Sequence, residues 1–428
     1  MLIKNAAFLI SRRPKQLCGM PKVKKPLNRK RFLISRAIAL GCLGLLLIVL
    51  NLLKLSTRFS EWFTVHISQA FVATAGRISS ALGNFSILEV VTLCTVLYAV
   101  KVVILWFRHL FKRRWYPLLK SVTVTLLVIL AVFNYYTVCA QFAYNRAPID
   151  LPMSETVYRD DEVVRIANYF FTDFHILAEK LPRNDSGNTV SPYTVPQLAN
   201  KLREEFKRLD SNPYFFTYTP RAKSISNSWF LMYTNIAGIA FLPFGEATVN
   251  GLPAQVSSVM VAYTMAHELA HTKGVMLERD ADLTACYILL TSADEYLRYC
   301  GYVSTISWMF DAVRRGNNND ASFAAHLTFP AQVIKELENI NTFWNDYKGP
   351  FGWLNDFLAN AAAWFNNLYL KSSGVDEGTG NYQELPSDGI DTGQTTPGTP
   401  EQPPRPIIIP VYNNTQKVYF NIYENLNR

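Results

Sequence analysis

Three long apolar segments in the first third of the chain restrict its fold more than any other feature. The first, residues 37–53, is uncharged and, extended back to residue 32, reaches the ~20 residues with which a helix crosses a bilayer. The second occupies residues 87–107 and the third residues 118–142. Because lipid offers no partner to backbone polar groups, a spanning segment of this kind is helical. We therefore predict three transmembrane helices within residues 32–143.

Basic residues predict how these helices are oriented. Residues 1–31 contain ten Lys and Arg and no acidic residue, and the loop after the second apolar run is also basic. Such an arm can bind nucleic acid, but directly before a long apolar run it is typical of the cytoplasmic end of a membrane helix. A cleaved signal peptide is disfavoured because the run is long and no cleavage site clearly follows it. The positive-inside rule places the arm in the cytoplasm and everything after Phe142 outside.

The rest of the chain divides into a globular part and a tail. Residues 144–371 mix apolar and charged positions, with helical spacing at 162–181 and 195–209 and a β-type run at 236–242, which predicts a mostly helical α+β domain. Residues 372–428 begin as a Gly/Thr/Pro-rich linker. They end in the strand-like stretches IIIPVYNN and VYFNIY, expected to join a sheet edge or to stay disordered. No CxxC pair or regular cysteine spacing is present.

The segment His267-Glu268-Leu269-Ala270-His271 is the strongest chemical motif. It lies in residues 256–273, which contain no proline or glycine and end before Gly274, a pattern typical of a helix and its C-terminal cap. His267 and His271 are one turn apart, so both imidazoles can bind one metal ion. A catalytic zinc keeps three protein ligands and leaves the fourth position to water. We therefore predict Zn²⁺ as cofactor and Glu268 as the general base.

The third ligand is expected in the acidic segment that follows Gly274. Glu278 and Asp282 are one helical turn apart, so both can face the first helix. Glu278 is the predicted ligand and Asp282 the predicted acceptor for a ring N–H of a ligating histidine. Asp280 projects to roughly the opposite side of the helix and is the alternative ligand. Cys286, one turn beyond Asp282, is the nearest residue in sequence to close a structural zinc site.

His326 is the remaining histidine with a predicted function. It follows a polar loop, and its ring could donate a hydrogen bond to a transition-state oxyanion. The other histidines are better explained as surface or core residues than as metal ligands.

Several stretches of the sequence resemble a known family: PRAKSISNSWF, AGIAFLPFGEATVN, AYTMAHELAHTKG, ERDADLTACY and YLRYCGY. They look like the uncharacterised bacterial membrane family called domain of unknown function 3810, over about residues 30–385. The resemblance implies a few membrane helices followed by a HExxH domain that is regarded as a zinc peptidase. It implies His267 and His271 as ligands, Glu268 as base and an acidic ligand in the segment ERDAD. Where relatives often end this segment in acidic-Ala-Asn, this chain has Asp280-Ala281-Asp282, so both Glu278 and Asp280 remain candidates.

The ExxxD arrangement is also similar to the gluzincin class of metallopeptidases, in which the glutamate binds zinc and the aspartate supports a histidine. The family resemblance adds a hypothesis about residues 236–244, since many zinc peptidases pair an edge strand with an extended substrate. We call the strand edge that would pair with the substrate the substrate edge, and it consists of Ile236, Ala237, Gly238 and Ile239. Glu246 and Asn250 are expected in the loop that follows. The alternative is a buried strand with a turn at Pro243 and Gly245.

Together these features predict a membrane-anchored zinc metallopeptidase. We expect a multi-pass protein of the cell membrane with a zincin-like domain on the extracytoplasmic side. Its expected partners are a peptide or protein substrate and membrane lipid, without nucleic acid. A non-catalytic zinc sensor or assembly protein is the main alternative, and an amidase acting on cell-wall peptides is the second.

Overall fold

The structure is a computed structural model that describes most of the chain. The described residues are 29–225, 236–252, 257–316, 327–346, single residues or pairs between 356 and 375, 390–395, 406–409 and 412–426. Most of the predicted N-terminal arm therefore lies outside the described residues. The helices before the sheet are α1 Arg29–Leu53, α2 Thr57–Phe63, α3 Gln69–Ala81, α4 Ile87–Phe111, α5 Trp115–Cys139, α6 Asp160–Lys180 and α7 Val195–Phe206.

The remaining elements begin with a small sheet. They are β1 Lys223–Ser224, β2 Gly238–Phe241, β3 Glu246–Val249, α8 Ser258–Thr272, α9 Glu278–Leu290, α10 Glu295–Thr305, α11 Ser307–Gly316, α12 Ala331–Asp346, β4 Ile390–Thr395, β5 Pro406–Ile409 and α13 Asn414–Leu426. The described part of the chain is thus mostly helical with little β-structure, as predicted.

Helices α1, α4 and α5 are each long and apolar enough to cross a membrane. Their large apolar side chains point outward, as at Leu45 and Leu97, which are 63% and 61% exposed. Such a surface is costly in water and favourable in lipid. Helix α5 contacts both of the others, and Asn134 of α5 donates to the carbonyl of Leu43 in α1 at 3.1 Å. The three predicted helices are therefore present and are long and apolar enough to span a membrane, which indicates a membrane protein.

The segment between α1 and α4 is helical and packs on the globular part. It consists of α2, a π-helical turn and α3, and we call residues 57–81 the connector. Glu61 of the connector forms a 2.6 Å ion pair with Arg146, whose side chain is buried. Arg146 also donates to the carbonyl of Gly274, at 3.2 Å, just after the HExxH helix. The connector therefore links the membrane helices to the region of the motif.

The globular core forms between amphipathic helices and the sheet. Helix α6 buries Val163, Ile166, Phe170 and Phe174 on one face, and the same core cluster includes the apolar face of α8. Each such side chain removed from water contributes roughly 1.5–3 kcal/mol. This core holds α8 rigidly, and with it the two histidines of the motif.

The small sheet has the strand order β1-β3-β2. Strand β3 pairs in parallel with β1 and antiparallel with β2. Strand β2 pairs with β3 alone among the described residues and lies at an edge of this part of the sheet. A tight turn at Gly245, with φ of +57°, joins β2 to β3, and a Cβ there would lie 2.5 Å from the backbone nitrogen of Gly76 in α3.

The end of the tail forms a helix, so the strand-like interpretation of VYFNIY is wrong. Helix α13 buries Val418, Tyr419 and Phe420 completely, in the same core cluster as α6 and α8. Asn413 and Gln416 form a reciprocal cap at its start, because each side-chain oxygen accepts the other residue's backbone N–H at 2.9 Å. The three isoleucines at 407–409 form part of strand β5 as expected, and β5 pairs with β4.

Candidate metal centre

Helix α8 and the turn after it place the motif. Gly274 ends the helix in the left-handed conformation, with φ of +85°, where a Cβ would lie 2.8 Å from the ring of Phe216. Glycine is the residue that adopts this conformation without strain. The turn sends the chain back so that α9 packs against α8. Glu278, the first residue of α9, thereby returns to the two histidines.

Three electron-pair donors converge at one point. Nε2 of His267 lies 3.1 Å from Nε2 of His271. The Oε2 atom of Glu278 is 3.0 Å from the first nitrogen and 3.3 Å from the second. Within the described residues, these three form the group of side chains able to share a metal ion.

Hydrogen bonds at the far side of each ring decide which nitrogen faces this point. His271 donates through Nδ1 to the carbonyl of Val275 at 2.7 Å, and His267 uses Nδ1 toward Asp282 at 2.8 Å. Because a carbonyl and an ionised carboxylate only accept, both Nδ1 atoms carry the proton. In the neutral, metal-binding form of each ring, Nε2 therefore carries the lone pair that faces Glu278 and the other ring. Tyr263 donates to the same Asp282 oxygen at 3.2 Å and helps to hold it.

These donors fit a zinc ion. Zinc bonds to nitrogen and oxygen are about 2.0–2.2 Å long, so the ligand atoms of a tetrahedral site are about 3.3 Å apart. The observed separations of 3.0, 3.1 and 3.3 Å match that spacing. Lone pairs at such distances repel one another unless a cation lies between them. The residues present therefore suit Zn²⁺.

The pKa values reflect the same attraction for positive charge. Burial opposes the charged form of His267, but its hydrogen bonds with Asp282 and Glu278 outweigh that effect and raise its pKa well above the ordinary value. Burial opposes charge on His271 too, and the Glu278 carboxylate overcomes this and raises its pKa. Burial alone would raise the pKa of Glu278, but the two imidazoles hold that pKa well below its ordinary range.

Glu268 lies beside these groups and against β2. Glu268 is only 7% exposed. A Cβ on Gly238 would be 2.5 Å from the Oε1 atom of Glu268. The backbone N–H of Ala240 lies near the carboxylate and favours its charged form. Burial raises the pKa of Glu268, against the opposing effect of the two histidines. A carboxylate with a raised pKa is a stronger base than a free glutamate.

The other predicted residues lie apart from this cluster or outside the described chain. Asp280 is buried in the first turn of α9 but does not belong to the group of converging ligand atoms, and burial raises its pKa to about 6. Cys286 is a buried cysteine of the core and does not belong to the group either. His326 lies outside the described residues.

The proposed substrate edge is placed around β2. Ile236 and Ala237 precede the strand, while Gly238 and Ile239 belong to it. Ala237 accepts a hydrogen bond from the N–H of Asn250 at 2.7 Å. Hydrogen-bonded and non-bonded pairs alternate in an antiparallel ladder, so Gly238 and Ala240 direct their backbone groups away from β3.

Sequence reasoning missed two features of the site. Gly238 is needed for the close approach of β2 to Glu268, and a glycine inside an apolar strand pattern is a signal of such an approach. Glu246 was placed in a loop, but it lies in β3 and forms a buried 2.7 Å ion pair with Lys223. A buried ion pair between residues 23 positions apart has no local sequence signal.

Comparison with known proteins gives one family. No curated protein and no solved structure matches the chain. The family model described as protein of unknown function (DUF3810) matches residues 63–387, which is three quarters of the chain. This range contains α4, α5, the sheet and all the residues of the candidate metal centre. The chain therefore belongs to the DUF3810 family.

Proposed function

We propose that this protein is a membrane-anchored zinc metallopeptidase. The observation that carries the proposal is the convergence of His267, His271 and Glu278 at separations of 3.0–3.3 Å next to the buried carboxylate of Glu268. Among the described residues no fourth protein ligand joins the three. A zinc site with three protein ligands keeps a position open for water, as in catalytic sites, whereas structural sites are closed by a fourth residue.

The chain's own residues supply binding and proton transfer. Zn²⁺ held by the three ligands would act as a Lewis acid and lower the pKa of a water molecule to about 7. Glu268 would take a proton from the attacking water as the water oxygen bonds to the peptide carbonyl carbon. Glu268 then passes the proton to the amide nitrogen as the C–N bond breaks, which releases an amine and a carboxylate. Asp282 and the Val275 carbonyl keep both imidazoles oriented.

Strand β2 is a template for an extended substrate. The N–H and C=O groups that Gly238 and Ala240 direct away from β3 are suited to pair with a peptide backbone. Glu268 lies against Gly238 of this strand, so a peptide bound along β2 lies next to the proposed base. This arrangement supports a zincin-like mode of action on peptides, including the peptides of a cell wall.

Charge and packing support an extracytoplasmic domain. The turn between α4 and α5 carries Lys112, Arg113 and Arg114, which favour the cytoplasmic side. We call the described residues after α5 the metal domain. In a three-helix arrangement the connector and the metal domain then share the opposite side. Their contact through Glu61 and Arg146 fits this topology.

Glu268→Gln tests the mechanism. We expect the purified Glu268→Gln chain to bind about one zinc per chain, as the wild type does, and to lose at least roughly 1,000-fold in peptide hydrolysis. Zinc is measured by mass spectrometry and hydrolysis by proteomics of membrane and secreted peptides. Glu204→Gln, at an exposed site on α7, is the matched control and should keep full activity. Full hydrolysis by the Glu268→Gln protein would exclude the mechanism.

A further inference from the structure

The metal domain is tied directly to the outer end of α4. The carboxylate of Glu246 accepts the backbone N–H groups of Ile87 and Leu88, both at 2.9 Å, and Ile87 is the first residue of a membrane span. The same carboxylate accepts from Ser79 at 2.6 Å and from Lys223 at 2.7 Å. The side chains of Glu246 and Lys223 are almost completely buried. We call Glu246 and Lys223 with these contacts the α4 clamp.

A second contact ties the same hairpin to α5. Tyr135 donates to the carbonyl of Pro243 at 2.8 Å, and the ring of Tyr136 stacks on Phe241 with centroids 6.2 Å apart. Both tyrosines lie in the last turn of the span that ends at Cys139. Since Phe241 and Glu246 are paired in the β2–β3 register, two membrane helices contact the same end of the hairpin. That end of β2 therefore lies at the membrane boundary.

The proposed base is only a few residues from this boundary. Strand β2 runs from Gly238 to Phe241, and three steps of a strand span roughly 10 Å. Glu268 contacts the strand at Gly238 and at Ala240, the neighbour of Phe241. The polar headgroup layer on each side of a bilayer is about 5–8 Å thick. The candidate site therefore lies in or just above the headgroup layer.

We propose that the substrate is an extended juxtamembrane segment of a membrane-anchored polypeptide, bound along β2 and cut within roughly ten residues of its membrane anchor. This proposal rests on the proposed peptidase function and adds the class of substrate. A flexible segment that emerges from the bilayer reaches β2 in a few extended residues. A soluble folded protein would have to bring the scissile bond into the headgroup layer. That step would cost the free energy of unfolding the segment around the bond and of removing water from it.

The position of cleavage relative to the membrane tests the proposal. The full chain is reconstituted with zinc into vesicles together with peptides in which a ~20-residue apolar helix is followed by about 30 randomised residues, an extended length of roughly 100 Å. The same randomised peptides without the helix are added to a parallel sample. We expect the anchored peptides to be cut roughly 10-fold or more faster. Sequencing of the products by mass spectrometry should place the cuts within the first ten or so residues after the helix.

A binding measurement separates this proposal from the proposed function. A photoreactive amino acid replaces Ile239 in the Glu268→Gln chain, and cross-linking to anchored and free peptides is compared. Preferential cross-linking of residues close to the anchor supports the proposal even if no peptide is cut by the wild type. Cuts or cross-links spread evenly over the randomised segment, or equal use of free peptides, would overturn it and leave the peptidase function intact. Absence of all hydrolysis by zinc-loaded wild type counts against the function alone.

Discussion

At residue 238, the absence of a side chain allows strand β2 to lie close to Glu268, the proposed base. A Cβ at this position would lie 2.5 Å from Oε1 and 2.6 Å from Cγ of Glu268, and 2.8 Å from Thr264. Contacts below 3.0 Å force either the strand or the carboxylate to move. Glycine is therefore required here by the approach of β2 to α8.

Gly238→Ala should lower peptide hydrolysis roughly 100-fold, because a displacement of the base of about 1 Å is enough for such a loss. Zinc content should stay at the wild-type level, since the three ligands lie on α8 and α9. Gly44→Ala is the matched control, because a Cβ there meets nothing within 4 Å. Hydrolysis by Gly238→Ala at the wild-type rate would show that β2 does not position Glu268.

Stability of the metal-free protein should depend on pH through His267 and His271. Both pKa values are raised above the ordinary value of 6.5 in the folded chain. The resulting stabilisation is fully present below 6.5 and is lost as pH rises through the raised values, because the folded state then loses its more tightly bound protons. Glu278 stays ionised across this window, since its pKa is lowered.

The expected result is a Tm of the metal-free protein that falls as the pH rises from 6.5 through the raised pKa values of the two histidines. The zinc-loaded protein should instead keep or raise its Tm over the same range, because zinc needs deprotonated ligands. Both are measured by calorimetry in detergent with and without a chelator. Parallel pH profiles in the two samples would contradict the ligand assignment.

At the scale of elements, the α4 clamp joins a strand of the metal domain to a membrane helix. Burial alone would raise the pKa of Glu246, but the Lys223 ammonium and the hydrogen bonds around the carboxylate hold that pKa below its ordinary value. The carboxylate also lies at the N-terminus of α4, where the helix dipole favours negative charge. The Glu246 carboxylate is therefore held in its charged form, and its bonds to the start of α4 require this orientation of the two elements.

Glu246→Gln should destabilise the protein by about 3–5 kcal/mol, because it leaves the Lys223 ammonium buried without its counter-charge. Thermal unfolding in detergent measures the effect as a decrease in Tm. Glu155→Gln is the control. Glu155 forms an ion pair with Lys417, and its side chain is 78% exposed, so this change should alter the free energy of unfolding by less than about 1 kcal/mol. Equal Tm values for the two variants would exclude a stabilising role of the clamp.

Elements with strong local patterns were predicted well, and others were not. Helices α6, α7 and α8 follow helical spacing and end within a few residues of the predicted limits. Helix α13 was interpreted as a strand because Val418, Tyr419 and Phe420 are consecutive and favour β-structure. Its burial against α11 and the core, together with its Asn413 cap, decides for a helix.

At the scale of the whole molecule, the arrangement of the membrane helices determines on which side the metal domain lies. We expect Glu204→Cys, in the metal domain, to react with a membrane-impermeant thiol reagent in intact cells. Lys112→Cys, in the turn between α4 and α5, should react only after the membrane is permeabilised. The wild-type chain is labelled in parallel, so that any reaction of its native cysteines can be subtracted. Labelling in the opposite order would reverse the proposed topology.

The amino-acid sequence by itself determined the three membrane helices, the helix that carries His267 and His271, and the turn at Gly274. These features depend on apolar run length, on the geometry of residues one turn apart and on one left-handed residue, all of which are local. Tertiary structure alone decided that Glu278 rather than Asp280 converges with the histidines. It also brought β2 against Glu268 and placed that strand's end on α4 and α5. These outcomes depend on which surfaces pack together across long stretches of chain, and the period of a sequence pattern carries no information about that choice.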